Sequence, residues 1–344
     1  MIMRKLKLLC LAGVISGFLF TSGCQDLADE LVGEKAAGAK TIRITMVAKS
    51  ASNPVFLSAK SGAEAAAKDL SDKYSMIDVE IDWRTPKVES AAEQAERILN
   101  AVNDGTDAII VSCSDDSILT IAINDAVSKG VPVMTFDSDA PESNRFAFYG
   151  PDDVAIGERV MTELAEIMGE KGKVAILAGS RSAPNLKKRV QGVKNAGANY
   201  PEIEIVGEFY HEENAEDAAR EMMKAIEAHP ELDGWAMVGG WPFFTDKLLN
   251  ELDPEKLDIV AVDALPMQLP YIEKGIVDLF LGQPTFKWGD VCVRKVVDKL
   301  HLDKEVDEIN RMKLIPVWKD NLGGWSRQLR AWGYTGIPEE YLTM

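Results

Sequence analysis

Short apolar runs alternate with amphipathic helical stretches along nearly the whole chain, and few folds accept that alternation. Residues 108–112 read Ala-Ile-Ile-Val-Ser, the unbroken apolar run of a strand covered on both faces of a parallel sheet. In residues 42–48, Ile42, Ile44, Met46 and Ala48 alternate with Arg43, Thr45 and Val47, which predicts a strand. Residues 77–83, 131–136, 146–149, 174–177, 203–209, 235–238, 259–262 and 277–281 read as further strands. Between them lie helical faces: Phe56, Ala59, Ala63, Ala66 and Leu70; then Ala92, Ala95, Ile98, Leu99 and Val102; then Ile118, Ile121, Ala122 and Val127. A break at Gly150-Pro151 precedes a second round, with helices over 154–168 and 186–200 and another through Ala218, Met222 and Ile226. Strands alternating with helices require parallel sheets covered on both faces, and the pattern runs twice. The expected class is α/β, with two doubly wound parallel-sheet lobes. About 300 residues of alternating pattern exceed a single core, which agrees.

The first residues read as a targeting segment. Arg4, Lys5 and Lys7 form a basic head, an apolar run follows to Phe20, and Thr21-Ser22-Gly23-Cys24 has the small residues of a cleavage site. The run is shorter than the roughly 20 residues that span a bilayer. Small residues before a cysteine resemble a bacterial lipobox, so residues 1–24 are expected to be a lipoprotein signal with Cys24 lipidated. The position three before Cys24 is Thr21, where that pattern usually has Leu. Residues 25–40, poor in large apolar side chains, read as a tether.

Composition narrows the partners. The net charge is −17, and removing the three basic residues of the signal lowers it to about −20. So acidic a chain argues against nucleic acid or anionic lipid as direct partners, since both attract basic surfaces. Of the four cysteines, Cys10 and Cys24 belong to the signal. Cys113 and Cys292 form no disulfide framework and no metal spacing, and read as buried apolar side chains. No metal and no cofactor are expected.

Ligands of open α/β sheets sit beyond the carboxyl ends of the strands. Residues 49–56 occupy that position after the first strand, where Asn53 is a good helix cap and Pro54 loses no bond in the first turn. Ser112 and Asp115 follow another strand, and Asp137-Ser138-Asp139 a third. Lys49 and Arg181 also fall at strand ends; they are expected to be solvated surface charges, the alternative being contacts to an acidic or phosphorylated sugar. His211 beside Glu212 and Glu213, and the pairs Asp115-Asp116 and Asp137-Asp139, superficially suggest acid–base or glycosidase chemistry. Solvated turns account for them more cheaply.

The order of these segments resembles the ribose-binding-protein family of periplasmic sugar receptors (type I, cluster B). The resemblance covers nearly all of residues 42–317. It rests on SASNPVF at 50–56, GTDAIIVSCSDDSIL at 105–119, GVPVMTFDSDAP at 130–141 and YGPDDVAIGERV at 149–160. GKVAILAGS at 172–180, KRVQG at 188–192, VAVDA at 260–264 and GQPTFKWG at 282–289 continue it in register. The lactose-repressor type of regulators shares this lobe pair but has a helix-turn-helix where this chain has an export signal. The resemblance implies two lobes joined by a three-strand hinge, closing on a sugar held by aromatic faces and polar side chains. It implies that Asn53, Asp137, Arg189, Asp263 and Gln283 bind hydroxyls and that Phe56 is one of two stacking rings; Ser112, by its place after a strand, is either a further contact or a turn residue. The other ring position is Val55. Ribose binders carry Arg after the strand-end aspartate, and here Ser138 stands there, so the ligand need not be ribose. Where the family has an Asn-Asp pair, Gly239-Gly240-Trp241-Pro242-Phe243 stands, and Trp241 is a candidate for the missing ring. The lobes are expected at 41–146 with 284–313 and at 149–282 with 316–344, with crossings near Ala147, Gln283 and Leu314. Residues 318–344 run past the usual family end and are expected to pack on the second lobe. The implied protein is no enzyme. It is an envelope lipoprotein, a monomer, that delivers a sugar or polyol to the permease of an ABC importer. The alternatives are a sensor presenting its closed form to a chemoreceptor or membrane kinase, and an exported carbohydrate enzyme.

Overall fold

The structure, a computed structural model, describes residues 38–344. The signal, Cys24 and most of the tether lie outside the described residues. Chain order is β1 (Lys40–Val47), α1 (Pro54–Lys73), β2 (Ile77–Trp83), α2 (Ala91–Asn103), β3 (Ala108–Val111), α3 (Asp116–Ser128), β4 (Val133–Phe136) and β5 (Ala147–Gly150). There follow α4 (Asp153–Ile167), β6 (Lys171–Ala178), α5 (Pro184–Gly197), β7 (Glu202–Tyr210), α6 (Ala215–Ala228), β8 (Gly234–Met237), β9 (Asp258–Asp263), α7 (Leu269–Glu273) and β10 (Leu279–Gly282). The chain ends with α8 (Phe286–Leu300), β11 (Ile309–Arg311), β12 (Ile315–Val317), α9 (Leu322–Ala331) and α10 (Glu339–Thr343).

Two six-stranded sheets result, ordered β11-β5-β4-β3-β1-β2 and β12-β10-β9-β8-β6-β7. Every pairing is parallel except that of β12 with β10. The strand order reverses between β1 and β3 in one sheet and between β6 and β8 in the other. Those are the switch points where crossover helices leave to opposite faces and a crevice opens. β3 is buried along its whole length because helices cover both faces.

The helices pack closely where glycines face backbone. A methyl on Gly62 of α1 would run into the Phe286 carbonyl, and one on Gly289 of α8 into the Ala59 carbonyl. The second lobe repeats the device, with Gly157 of α4 against the Arg189 carbonyl and Gly192 of α5 against the Val154 carbonyl.

Several expectations need correction. β5 pairs with β4 and β11, with Phe148 N–H donating to Glu308 O and Met312 N–H to Gly150 O. Residues 149 and 150 therefore belong to the first sheet, and the chain leaves it after Gly150 rather than near Ala147. The other two passages run from Gly282 to Phe286 and from Arg311 to Ile315. The strand expected over 277–281 begins at Leu279, because Ile276 and Val277 N–H groups both bond to Tyr271 O in the turn after α7. The first residue of β1, Lys40, is the last of the expected tether. The tail packs on the second core through Leu322, Trp325, Leu329, Ile337 and Tyr341. It also reaches the start of α8, where Trp332 stacks on Phe286 with centroids 6.1 Å apart and the Tyr334 hydroxyl bonds the Thr285 hydroxyl at 2.8 Å.

Candidate ligand-binding cleft

Strand ends of both sheets converge on one cleft. From the first lobe come Lys49 and Asn53 after β1, Phe56 on α1, Asp137 after β4 and Trp288 on α8. From the second come Asn185 and Arg189 on α5, Glu213 before α6, Trp241 after β8, Asp263 at the end of β9 and Gln283 after β10. Of the eight ligand candidates read from sequence, seven line this cleft. Ser112 is fully buried behind it and donates to Asp137 Oδ2 at 2.8 Å.

The polar groups form one connected chain. Arg189 donates from Nε to Asp153 Oδ1 at 2.9 Å, from Nη1 to Val238 O at 3.1 Å and from Nη2 to Gln283 Oε1 at 3.3 Å. Its Nη2 also lies 4.0 Å from Asp137 Oδ1. Gln283 Nε2 donates to Asp263 Oδ1 at 2.7 Å, and Gly240 N–H reaches Asp263 Oδ2 at 3.2 Å. Across the cleft, Lys49 Nζ donates to Asn185 Oδ1 at 3.0 Å, and Asn185 Nδ2 lies 3.5 Å from Asp137 Oδ1. Asn53 caps α1 through Oδ1 alone, accepting from Val55 N–H.

Burial sets the electrostatics. It pushes the Asp263 carboxyl up, against the opposing pull of Gln283 and Arg189. It raises Asp153 to about 6 although Arg189 is beside it. Burial disfavours the charges of Arg189 and Lys49, but the surrounding carboxylates outweigh it and both pKa values are raised. Glu89, which faces Lys49 at 4.0 Å, is pushed up to about 7 by burial and by the like charge of Glu213.

Both strand-end aspartates sit in the left-handed region, with φ of 57° for Asp137 and 109° for Asp263. A non-glycine residue there is strained by about 1–3 kcal/mol and is found where surroundings impose it. Asp137 N–H is held by Tyr149 O at 3.1 Å.

Aromatic walls complete the cleft. Phe56 meets Phe136 edge-on at 6.4 Å and Trp288 at 6.0 Å, and the His211 ring packs against Trp241 at 5.0 Å. Trp241 is at once a cleft wall and a member of the second lobe's core. Sequence reasoning missed Trp288, Asn185 and Glu213 as cleft residues. Trp288 lay in the quoted GQPTFKWG stretch, and its position one turn into a helix was the available signal. Lys49 is corrected outright: it is 1% exposed, buried between the lobes rather than solvated. Arg181 is an exposed residue lying over the Tyr210 ring. Two of the other carboxylates have structural partners: Asp139 is paired with Arg145 at 2.6 and 2.8 Å, and Asp115 caps α3.

Two parallel-sheet lobes whose polar strand ends meet at three chain crossings define a bilobal binding protein of type I. The chain belongs to the family described as the periplasmic binding protein domain, which matches residues 44–304. It is 24% identical over 218 residues to the ribose import binding protein RbsB of Bacillus subtilis, covering 63% of this chain and 68% of that protein. It is 26% identical over 211 residues to the xylitol-binding protein of Mycolicibacterium smegmatis, covering 60% of each. The solute binding protein of an ABC transporter from Burkholderia graminis, solved in complex with D-arabinose, superposes with a TM-score of 0.74 at 25% identity. That match covers 82% of this chain and 97% of the other.

Proposed function

We propose that this chain is a lipid-anchored receptor that captures a monosaccharide or related polyol between its lobes and hands it to an ABC importer. The observation that carries the reading is the convergence of Asn53, Asp137, Arg189, Asp263 and Gln283, from both lobes, on one cleft. Carboxylates with free lone pairs accept from adjacent hydroxyls, Arg189 and Gln283 donate to ring and hydroxyl oxygens, and Phe56, Trp288 and Trp241 offer rings to the C–H faces of a sugar. Such a set suits a small ligand with many hydroxyls and little else.

Binding is by opening and closing. The cavity between the lobes is about 30 Å³, too small for a sugar ring, and the lobes touch through Lys49–Asn185 and Asn185–Asp137. A ligand enters when the lobes part about the hinge, and it replaces those cross-cleft bonds with bonds to its own hydroxyls. Each buried group left unmatched costs about 1–3 kcal/mol, and that penalty supplies the specificity.

A thermal-shift screen over pentoses, hexoses, polyols and sugar acids tests the reading, because a ligand bound only by the folded state raises Tm. A shift with at least one neutral sugar or polyol is expected, abolished by Asp137→Ala with circular dichroism unchanged. Binding retained by both Asp137→Ala and Trp241→Ala would place the ligand elsewhere. A sensor role is the second reading. It is favoured by a solved neighbour described as the XylFII–LytSN complex, 25% identical with a TM-score of 0.72 over 81% of this chain and 98% of that one. Genes for a permease and an ATPase beside this one support delivery, and their absence supports sensing.

A further inference from the structure

The tail does more than cover the second lobe. Trp325, on α9, lies outside the residues that match the family and is 4% exposed. It sits behind the ends of β9 and β10, where Asp263 and Gly282 are paired side by side. Its indole N–H donates to the Ala264 carbonyl at 2.6 Å, a buried bond. Its ring backs the end of β10, since a Cβ on Gly282 would lie 3.1 Å from Trp325 Cζ2. Asp263 and Gln283, joined in the cleft through Gln283 Nε2, are thus each next in sequence to a residue that Trp325 touches.

The backbone at that point needs a support. Asp263 and Ala264 are both left-handed, with φ of 109° and 68°. Two successive non-glycine residues in that region are costly and persist only where the surroundings hold them. On the cleft side, Gln283 Nε2 and Gly240 N–H grip the Asp263 carboxylate, and an arriving hydroxyl would share those same oxygens. Behind the cleft the grip falls on the main chain, independent of any ligand. Leu265 N–H donates to Gln268 Oε1 at 2.5 Å, and the Ala264 carbonyl accepts from Trp325. Without the indole N–H that carbonyl is a buried acceptor left unpaired. The strained peptide then gains by turning toward another partner, and it carries Asp263 with it. Trp325 is itself braced: Trp332 meets it edge-on at 5.7 Å and 87°, and Trp332 stacks in turn on Phe286 at the start of α8.

We propose that Trp325 is a positioning residue for ligand binding: from behind the cleft it fixes the left-handed turn at 263–264 and so aims the Asp263 carboxylate at the ligand. The inference rests on the sugar-binding reading and deepens it.

The test is isothermal titration with whichever of D-ribose, D-allose, D-arabinose and xylitol the wild type binds, and with the monodeoxy derivatives of that compound. Trp325→Phe keeps a ring and removes the N–H. It is expected to weaken the parent compound by about 5- to 100-fold, the cost of one unpaired buried acceptor. One monodeoxy derivative should lose less than 2-fold, because it no longer uses the Asp263 carboxylate. Asp263→Asn should single out the same derivative. Adding Ala264→Gly to Trp325→Phe should return most of the lost affinity, since glycine takes a positive φ without steric cost. Core packing alone predicts neither the dependence on one hydroxyl nor the rescue. A uniform loss over the parent and every derivative, no loss at all, or failure of both the single and the double variant to fold assigns Trp325 to the core and overturns the proposal. If Asp263→Asn weakens the parent while Trp325→Phe is silent, this inference alone falls. If the wild type binds none of the four nor any other pentose, hexose or polyol, the sugar reading falls and this inference with it.

Discussion

Arg189 holds more of the molecule than its place in the cleft suggests. Its guanidinium ties Asp153 at the start of α4, the Val238 carbonyl just after β8, and Gln283 in a chain crossing, all within a buried site. Removing one partner of a buried ion pair leaves an uncompensated charge, a loss of about 3–5 kcal/mol. Arg189→Ala is therefore expected to lower unfolding free energy by that amount, read by urea denaturation, in addition to abolishing sugar binding. Adding Asp153→Asn should recover a large part of the stability and none of the binding; no recovery would remove the ion pair from the account. That Arg189 turns into the cleft was foreshadowed by its KRVQG context. Nothing local indicated that Asp153, fifth in the YGPDDVAIGERV stretch, would be its partner 36 positions away.

At the scale of elements, two helix pairs, α1 with α8 and α4 with α5, are packed so that backbone meets backbone. At Gly157 the obstacle to a side chain is the Arg189 carbonyl, a main-chain atom that cannot swing away. Gly157→Val is expected to destabilise by at least about 1–3 kcal/mol, the cost of overpacking, seen as a lower urea midpoint with an unchanged slope. A neutral result would mean the helices slide apart at no cost. The effect should reach the cleft too, since Arg189 belongs to the helix being displaced. The helices themselves were legible from apolar spacing and from caps such as Asn53. The strand starts at Leu279 and Val133 were less so, because apolar residues that close a helix turn look like the start of a strand.

For the whole molecule, closing the lobes brings carboxylates of opposite halves together. Glu89, on the loop after β2, faces Lys49 at the end of β1, Ser114 after β3, and Glu213 from the second lobe. Burial and Glu213 push it up to about 7 in this closed arrangement, against the pull of Lys49 and Ser114. Open, away from Glu213 and in water, its pKa returns toward the ordinary carboxylate value near 4.3. A carboxyl with the higher pKa in the closed form binds its proton more tightly there. Closure therefore gains as pH falls through about 7, and the gain levels off near the open-form value. Sugar affinity is expected to rise by tens of fold from pH 8 to pH 5, with Glu89→Gln flattening the profile; a fall over that range would refute the linkage. Small-angle scattering should show compaction on adding the same sugar. The tail joins this scale, since Trp332 and Tyr334 carry it from the second core to the start of α8, beside a hinge passage.

Period and composition along the chain determined the α/β class, the two lobes and the strand ends on which ligand-facing residues would fall. These are local properties: a buried parallel strand must be apolar throughout, and a covering helix must repeat its apolar face. Which strand ends face one another was decided by the hinge and by sheet order, which bring Lys49 to Asn185 and Asp137 to Arg189 across more than fifty or a hundred positions of sequence. The burial of Lys49, the ring supplied by Trp288 and the left-handed backbone of Asp137 and Asp263 belong to that second category. Each depends on what the other lobe, or a distant strand, places against it, and no stretch of sequence carries that information by itself.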